Sequence, residues 1–323
     1  MSGPHPAVAQ TRSAVRRWLA EYAPDAPVVV ACSGGADSLA LTAAAVHEAT
    51  EVHAVVVDHQ LQPSSAQTAS AAAGQAQALG CKRTQVVTVD VVGAGGLEAA
   101  ARRARYSALR SLGTPVLLGH TLDDQAETVL LGLGRGSGPR SIAGMQPWDV
   151  PWGRPLLTVR RSVTHEACAA LGVTPHHDPH NDDPAFTRVR LRHEVLPLLE
   201  EVLAGGVAPA LARTATQLRE DGEALDAWAA ELGQRSLRGA ELDAAALEGA
   251  PTAVRRRVLR RWLLAHGATA LTERQLRWAD DLIGAWRGQG GVAVGGQLVV
   301  LRRHGRLSTE VQKAATARSA RGV

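Results

Sequence analysis

Between Val28 and Ala45 the chain reads VVVACSGGADSLALTAAA, which places a serine, two glycines, an aspartate and a second serine between an apolar run and an alanine-rich one. Glycines at Gly34 and Gly35 let the backbone take conformations closed to other residues and leave N–H groups free to point at a ligand. A loop of this kind at the start of a helix favours a negative group, and phosphate is the natural guest. Ser33, Gly34, Gly35, Ala36, Asp37 and Ser38 are therefore the candidate phosphate-binding residues. The stretch is not a GxxxxGK[ST] loop, because Asp37 stands near where that lysine would be. A carboxylate beside phosphates calls for a mediating cation, and Mg²⁺ suits one or two carboxylates plus phosphate oxygens. The alternative is a plain Gly/Ser turn capped by Asp37 or Ser38.

A second group follows in GHTLDDQAETVLLGLG, where His120 precedes a helix whose Asp124 and Glu127 are three residues apart and share a face. Two carboxylates there could hold a second metal or an ammonium group. The competing reading is a capping box in which Asp123 caps the helix and Glu127 completes the pair.

The elements that must position these residues can be read from periodicity. Strand-like runs at Val28–Ala31, Val52–Val57, Thr84–Val89 and Val116–Leu118 alternate with helical ones at Ser38–Ala49, Ala66–Leu79 and Leu97–Leu112, after an N-terminal helix over Ala7–Ala23. Alternation of this kind predicts an α/β fold, a parallel doubly wound sheet with helices on both faces. Ligands on such sheets sit beyond the carboxyl ends of the strands, where the loop Ser33–Ser38, Asp58 with His59, and Gly119 with His120 all fall. A helix is expected over Arg188–Glu201. After the break AGGVAPA come a long helix over Leu211–Leu232, helices over Ala253–Ala265 and Glu273–Trp286, and a hairpin around Gly295-Gly296. The expected organisation is a catalytic domain at 1–205, a smaller, mainly helical domain at 206–311 and a disordered tail at 312–323.

No run approaches a membrane span and the N-terminal residues lack a signal-peptide pattern, so a cytoplasmic protein is expected. Cys32, Cys81 and Cys168 are widely spaced and form neither a disulfide framework nor a zinc pattern. Up to Gly205 the chain has 17 Lys and Arg against 19 Asp and Glu, whereas from Gly206 onward the counts are 18 and 12. Nearly all of the later cations are arginine, whose planar fork suits phosphate. In RRRVLRR (255–261), Arg256 and Arg260 share a helical face and are expected to be available to nucleic-acid phosphates; an ordinary solvated face is the alternative.

With these residues in hand the chain resembles the N-type ATP pyrophosphatase (PP-loop) superfamily and, within it, the tRNA(Ile)-lysidine synthetases. The resemblance is carried by SGGADS (33–38), VDHQLQPSS (57–65), LEAAARRARY (97–106), GHTLDDQAET (119–128), RGSG…IAGM (135–145), RPLL (154–157) and HDPHNDDPAFTRVRLRHEVLPLL. Thr121 stands where many members have a second histidine, and Gln60-Leu61-Gln62 where Gly-Leu-Arg is usual. The resemblance implies ATP on the loop, with Asp58 among the nucleotide-binding residues. Mg²⁺ would sit on Asp37 and Asp124, and cytidine 34 of an isoleucine tRNA with a CAU anticodon would be adenylated. Free L-lysine then attacks C2, with release of AMP. Asp124 and Glu127 would orient the lysine ammonium beside His120. Arg102 and Arg105 would reach the α-phosphate or the nucleotide, and Arg188, Arg190 and Arg192 would meet tRNA phosphates. A homodimer is among the expected arrangements. Two other functions are weighed: a tRNA thiolase, which would need paired reactive cysteines, and a nucleotide sensor that does no chemistry.

Overall fold

The computed structural model describes residues 3–92, 96–112, 115–136, 138–178 and 182–312. The expected tail lies, from residue 313, outside the described residues. Two compact units divide within one helix, between Leu218 and Arg219.

The first unit opens with α1 (Pro6–Tyr22), then β1 (Val28–Ala31), α2 (Ala36–Glu48), β2 (Val52–Asp58), α3 (Ser65–Ala78), β3 (Arg83–Thr88), α4 (Leu97–Arg110) and β4 (Val116–Leu117). These match the elements expected from periodicity to within one or two residues. There follow α5 (Leu122–Gly134), a one-turn α6 (Pro139–Ile142), β5 (Trp148–Asp149), β6 (Trp152–Gly153) and α7 (Arg161–Ala170). The stretch expected as one helix over Arg188–Glu201 is α8 (Thr187–Arg190), a π-helical turn over Leu191–Val195 and α9 (Leu196–Val202). Strand order is β3-β2-β1-β4-β6-β5, parallel except for the β5–β6 pair. All four residues of β1 are buried, as a strand covered on both faces requires. The chain runs outward from β1 to β3 and then crosses back to β4 on the other side of β1, so the switch in winding lies between β1 and β4. Val30, Leu39, Leu41 and Val56 belong to one packed layer; Val29, Val55, Leu109 and Leu118 belong to the other.

The helix α10 runs over Val207–Ser236. Its first turns belong to the first unit because Ala208 and Leu211 pack with Ala126 and Leu196. The compact boundary therefore falls further along than the Gly205-Gly206 break. The second unit continues with β7 (Leu237–Arg238), β8 (Glu241–Asp243), α11 (Ala244–Glu248), α12 (Thr252–Ala265), α13 (Glu273–Gly284), β9 (Val292–Val294), β10 (Leu298–Arg303) and β11 (Arg306–Val311). The hairpin at Gly295-Gly296 is the β9–β10 pair, but it belongs to a five-stranded sheet ordered β7-β8-β11-β10-β9 that periodicity did not reveal. β7 and β8, of two and three residues, carry too few alternating positions to be read, and β11 has six residues but an irregular pattern, RLSTEV, with only Leu307 and Val311 apolar. Leu242, Leu259, Leu263, Ile283 and Val300 form a core of its own. Among the described residues no single helix is long and apolar enough to cross a membrane.

Candidate active site

The turn from β1 to α2 is built by its own side chains. The Ser33 amide donates to Ser38 Oγ at 3.1 Å, and Ser38 Oγ donates to the Gly35 carbonyl at 2.9 Å. Ser38 is thus a staple inside the loop and is buried. Gly34 has φ +81°, and a Cβ there would stand 3.0 Å from Ala72 Cβ, so both conformation and space call for glycine. Its carbonyl accepts from the His176 amide at 2.8 Å. Across the switch point, a Cβ on Gly119 would lie 3.0 Å from both Asp37 C and Ser38 N, so the end of β4 fits against the start of α2 only as glycine.

Beside the loop a cavity of about 380 Å³ lies beyond the ends of β1 and β2, lined by Ser33, Gly35, Asp58, His59, Arg105 and His176 among others. Asp58 is buried, and its Oδ1 accepts from the Gln60 amide at 2.9 Å. His59 Nδ1 is buried with no hydrogen-bond partner, and burial, then the positive charge of Arg105, pulls its imidazole below the usual range. Burial likewise lowers the Arg105 guanidinium. Arg102 is exposed, with its guanidinium over the Tyr106 ring 4.7 Å from the centroid. Of the sequence-derived nucleotide residues, Ser33, Gly35, Asp58 and Arg105 line one cavity, whereas Asp37 faces the carboxylates on the β4 side.

There, Asp37, Asp124 and Glu127 converge on one guanidinium. Arg161 Nη2 donates to Asp124 Oδ1 at 2.7 Å and Nη1 to Glu127 Oε1 at 3.3 Å, and Nε lies 3.5 Å from Asp37 Oδ2. Thr164 donates its hydroxyl to the other Asp37 oxygen. Burial raises the Asp37 carboxyl despite these partners. Asp124 is held below the usual range by Arg161 and His120 against burial. The capping box on α5 is Thr121 with Asp124: the Thr121 amide donates to Asp124 Oδ2 at 2.8 Å. Asp123 instead accepts from the Arg161 amide at 2.7 Å and so caps α7, which corrects the Asp123/Glu127 alternative. Glu127 has no exposed surface and takes a second guanidinium, Arg192 Nε at 2.9 Å. Burial drives the His120 imidazole down to about 3, and its Nδ1 is buried without a partner.

Four of the five arginines expected to meet tRNA phosphates have partners within the protein. Arg192 lies on Glu127 because the π-helical turn carries it inward to the acid cluster. Arg190 pairs with Glu194 one turn on at 2.8 Å and is exposed, while Arg188 approaches the Thr128 hydroxyl at 3.5 Å. In the second unit, Arg255 is buried and paired with Asp280, whose other oxygen takes Arg256 at 3.2 Å. Arg256 is therefore engaged within the fold, sharing Asp280 with Arg255 and reaching Glu273 at 3.5 Å, and Arg260 is half-buried.

Arg161 and Thr164 escaped sequence reasoning, as did buried Arg154, whose Nη1 donates to the Gln146 carbonyl at 2.8 Å. A signal for Arg161 was present: arginines at 160 and 161 open a helix, where the macrodipole disfavours a cation, so acidic partners had to be near.

The carboxylate pair fits Mg²⁺ in its chemistry, since Asp37 Oδ2 and Asp124 Oδ1 come from two elements and already converge on one cation. Among the described residues no three His, Cys, Asp or Glu side chains gather as a metal site, so the protein would supply two ligands and phosphate oxygens the others.

Residues 9–199 match the PP-loop domain family, and 242–308 match the TilS substrate binding domain. A tRNA(Ile)-lysidine synthase from Rhodococcus erythropolis is 64% identical over 94% of this chain and 95% of its own length. The chain belongs to the tRNA(Ile)-lysidine synthase family. Lysidine synthases of Nocardia farcinica and Mycobacterium tuberculosis H37Rv are 62% identical over 95% and 63% over 83% of this chain, covering 99% and 84% of their own lengths. Among solved structures, the U34-tRNA thiolase NcsA from Methanococcus maripaludis superposes with a TM-score of 0.56 at 18% identity over 66% of this chain and 80% of that one, a likeness of fold. The thiolase alternative is not favoured for this member of the lysidine synthase family: all three cysteines are buried, and burial pushes Cys81 up to about 12 and Cys168 to about 11.

Proposed function

We propose that this enzyme, a ligase, joins free lysine to C2 of cytidine 34 in the CAU anticodon of an isoleucine tRNA at the expense of ATP. The supporting observation is the meeting, at the β1/β4 switch point, of a phosphate-type loop and a buried carboxylate cluster within a chain of this family. The adenosine occupies the cavity bounded by Asp58, His59 and Arg105, and the phosphates lie along Ser33–Ala36. Cytidine O2 attacks the α-phosphorus, the bond to the β-phosphate oxygen breaks, and pyrophosphate leaves. The neutral ε-amine of lysine then adds at C2, AMP leaves, and the amine proton passes to a base. Mg²⁺ held by Asp37 and Asp124 supplies charge stabilisation on the phosphates when bound. The loop amides stabilise the charge that develops on the leaving pyrophosphate.

Asp124, buried but with 12% of its side chain exposed, is the carboxylate that receives the lysine ammonium; fully buried Glu127 holds Arg161 and Arg192 in place. His120 is kept neutral and offers its imidazole as a hydrogen-bond partner. Unpaired arginines of the second unit supply tRNA affinity, and the protein is cytoplasmic. Incubation with ATP, labelled lysine and total tRNA tests the reading. Label should enter RNA only with ATP present, and ATP-independent labelling, or none, overturns it.

A further inference from the structure

Asp37 and Asp124 beside a phosphate loop would by themselves attract any divalent ion that diffused in, because partly buried charges attract far more strongly than solvated ones. Here they are not left to themselves. Arg161 reaches Asp124, Glu127 and Asp37 at 2.7, 3.3 and 3.5 Å. Arg192 adds a second guanidinium on Glu127 at 2.9 Å and comes within 3.7 Å of Asp124. Thus three formal negative charges face two positive ones. Arg161 is the first residue of α7, a position that the helix dipole makes unfavourable for a cation. It is retained there because Asp123 accepts its amide at 2.7 Å and also pairs with Arg160 at 3.0 Å. Its side chain is only 18% exposed, so the guanidinium is committed to the acid cluster.

We propose that Arg161 is a resident counter-ion that stands, in the nucleotide-free enzyme, between Asp37 and Asp124 where Mg²⁺ sits with ATP, so that the site refuses a bare divalent ion and takes metal only together with nucleotide. The inference rests on the reading of Asp37 and Asp124 as the cation-holding carboxylates. The exchange is balanced: a nucleotide bringing its own ion replaces the guanidinium charge on the two aspartates, and its phosphate oxygens give the displaced planar fork an equally good anionic partner. A bare ion offers the guanidinium nothing in return. Arg161 is therefore a positioning residue whose loss alters metal binding before any chemistry.

Mn²⁺ is the probe, followed through loss of the free-ion electron paramagnetic resonance signal on the full-length protein. Without nucleotide wild type should leave the free-ion signal intact; with a non-hydrolysable ATP analogue, which removes that signal by itself, wild type should retain Mn²⁺ together with the protein in equilibrium dialysis against a protein-free mixture of Mn²⁺ and analogue. Arg161→Gln, checked for folding by circular dichroism, should bind Mn²⁺ without nucleotide at least about tenfold more tightly than wild type. Arg161→Lys keeps the charge and should restore refusal of the bare ion. Adding Asp37→Asn to Arg161→Gln should abolish the nucleotide-free binding and so place the ion. The proposal is overturned if wild type binds Mn²⁺ alone as tightly as Arg161→Gln, or if Arg161→Gln ignores Mn²⁺ alone yet takes it with the analogue. Should Arg161→Gln misfold, the wild-type comparison with and without analogue still decides: equal binding overturns the proposal. If wild type takes no Mn²⁺ even with the analogue, the reading of Asp37 and Asp124 as a cation site falls, and the inference with it.

Discussion

Burial raises the Asp37 carboxyl above its ordinary value, outweighing the opposing hydrogen bond from Thr164 and the charge of Arg161. A raised carboxyl contributes stability in its protonated form, below the unfolded value, and that contribution is lost as pH rises through the folded value. Asp37→Asn should therefore melt no lower than wild type at pH 7, with any gain vanishing in acid, while tRNA-dependent pyrophosphate release disappears; retention of that release would contradict its assigned role. His120 has the opposite sign. With its folded value near 3, the unfolded chain binds a proton that the folded one refuses from about pH 6.5 downward. Stability should fall with pH across that window by up to about 1.4 kcal/mol per pH unit from this group. His120→Gln should flatten the melting-temperature profile between pH 7 and 4 relative to wild type. Glu127 is fully buried between two arginines, and its truncation to Ala would leave their charge uncompensated. A loss of about 3 kcal/mol in denaturant titration is expected. A loss of lysine incorporation with full stability would instead give Glu127 a direct place at the substrate.

Two elements carry the contacts that sequence patterns describe least well. In α12 the arginine run looked like a phosphate-facing stripe. Yet Asp280 on α13 takes both Arg255 and Arg256, and Asp226 takes Arg257 at 2.9 Å. Arg256→Gln should then leave the salt dependence of tRNA binding unchanged, because its guanidinium is held within the fold by Asp280 and Glu273. Arg260→Gln, at a half-buried position one turn on, should reduce the log–log slope by roughly one unit if a phosphate contact is lost. Equal slopes for wild type and both variants would remove α12 from the tRNA footprint. In α5, the alternative reading put the cap at Asp123 with Glu127, whereas the box is Thr121 with Asp124, because the sequence does not show which of the adjacent Asp123 and Asp124 turns back on its own helix. Only the approach of α7, whose Arg161 amide reaches Asp123, separates them.

At the scale of the molecule, each compact unit has its own apolar core, one around the parallel sheet and one around α12, α13 and the five-stranded sheet. Calorimetry should accordingly show two transitions, of which only one rises with an ATP analogue, by about 2.7 kcal/mol at one hundred times the dissociation constant. A single transition shifted as a whole would show the units to be energetically one. The sequence by itself determined the alternating α/β order, the phosphate loop after β1 and the acidic face after β4, because these rest on local periodicity and on residue types with few other uses. It also carried the family, through motifs spaced along the first 200 residues. Only the tertiary structure decided which charges meet. Arg161 and Arg192 reach Glu127 from positions 34 and 65 residues away in the chain. An ion pair depends on where two side chains end in space, and the helical pattern that places an arginine on a face says nothing of the carboxylate that another element brings against it.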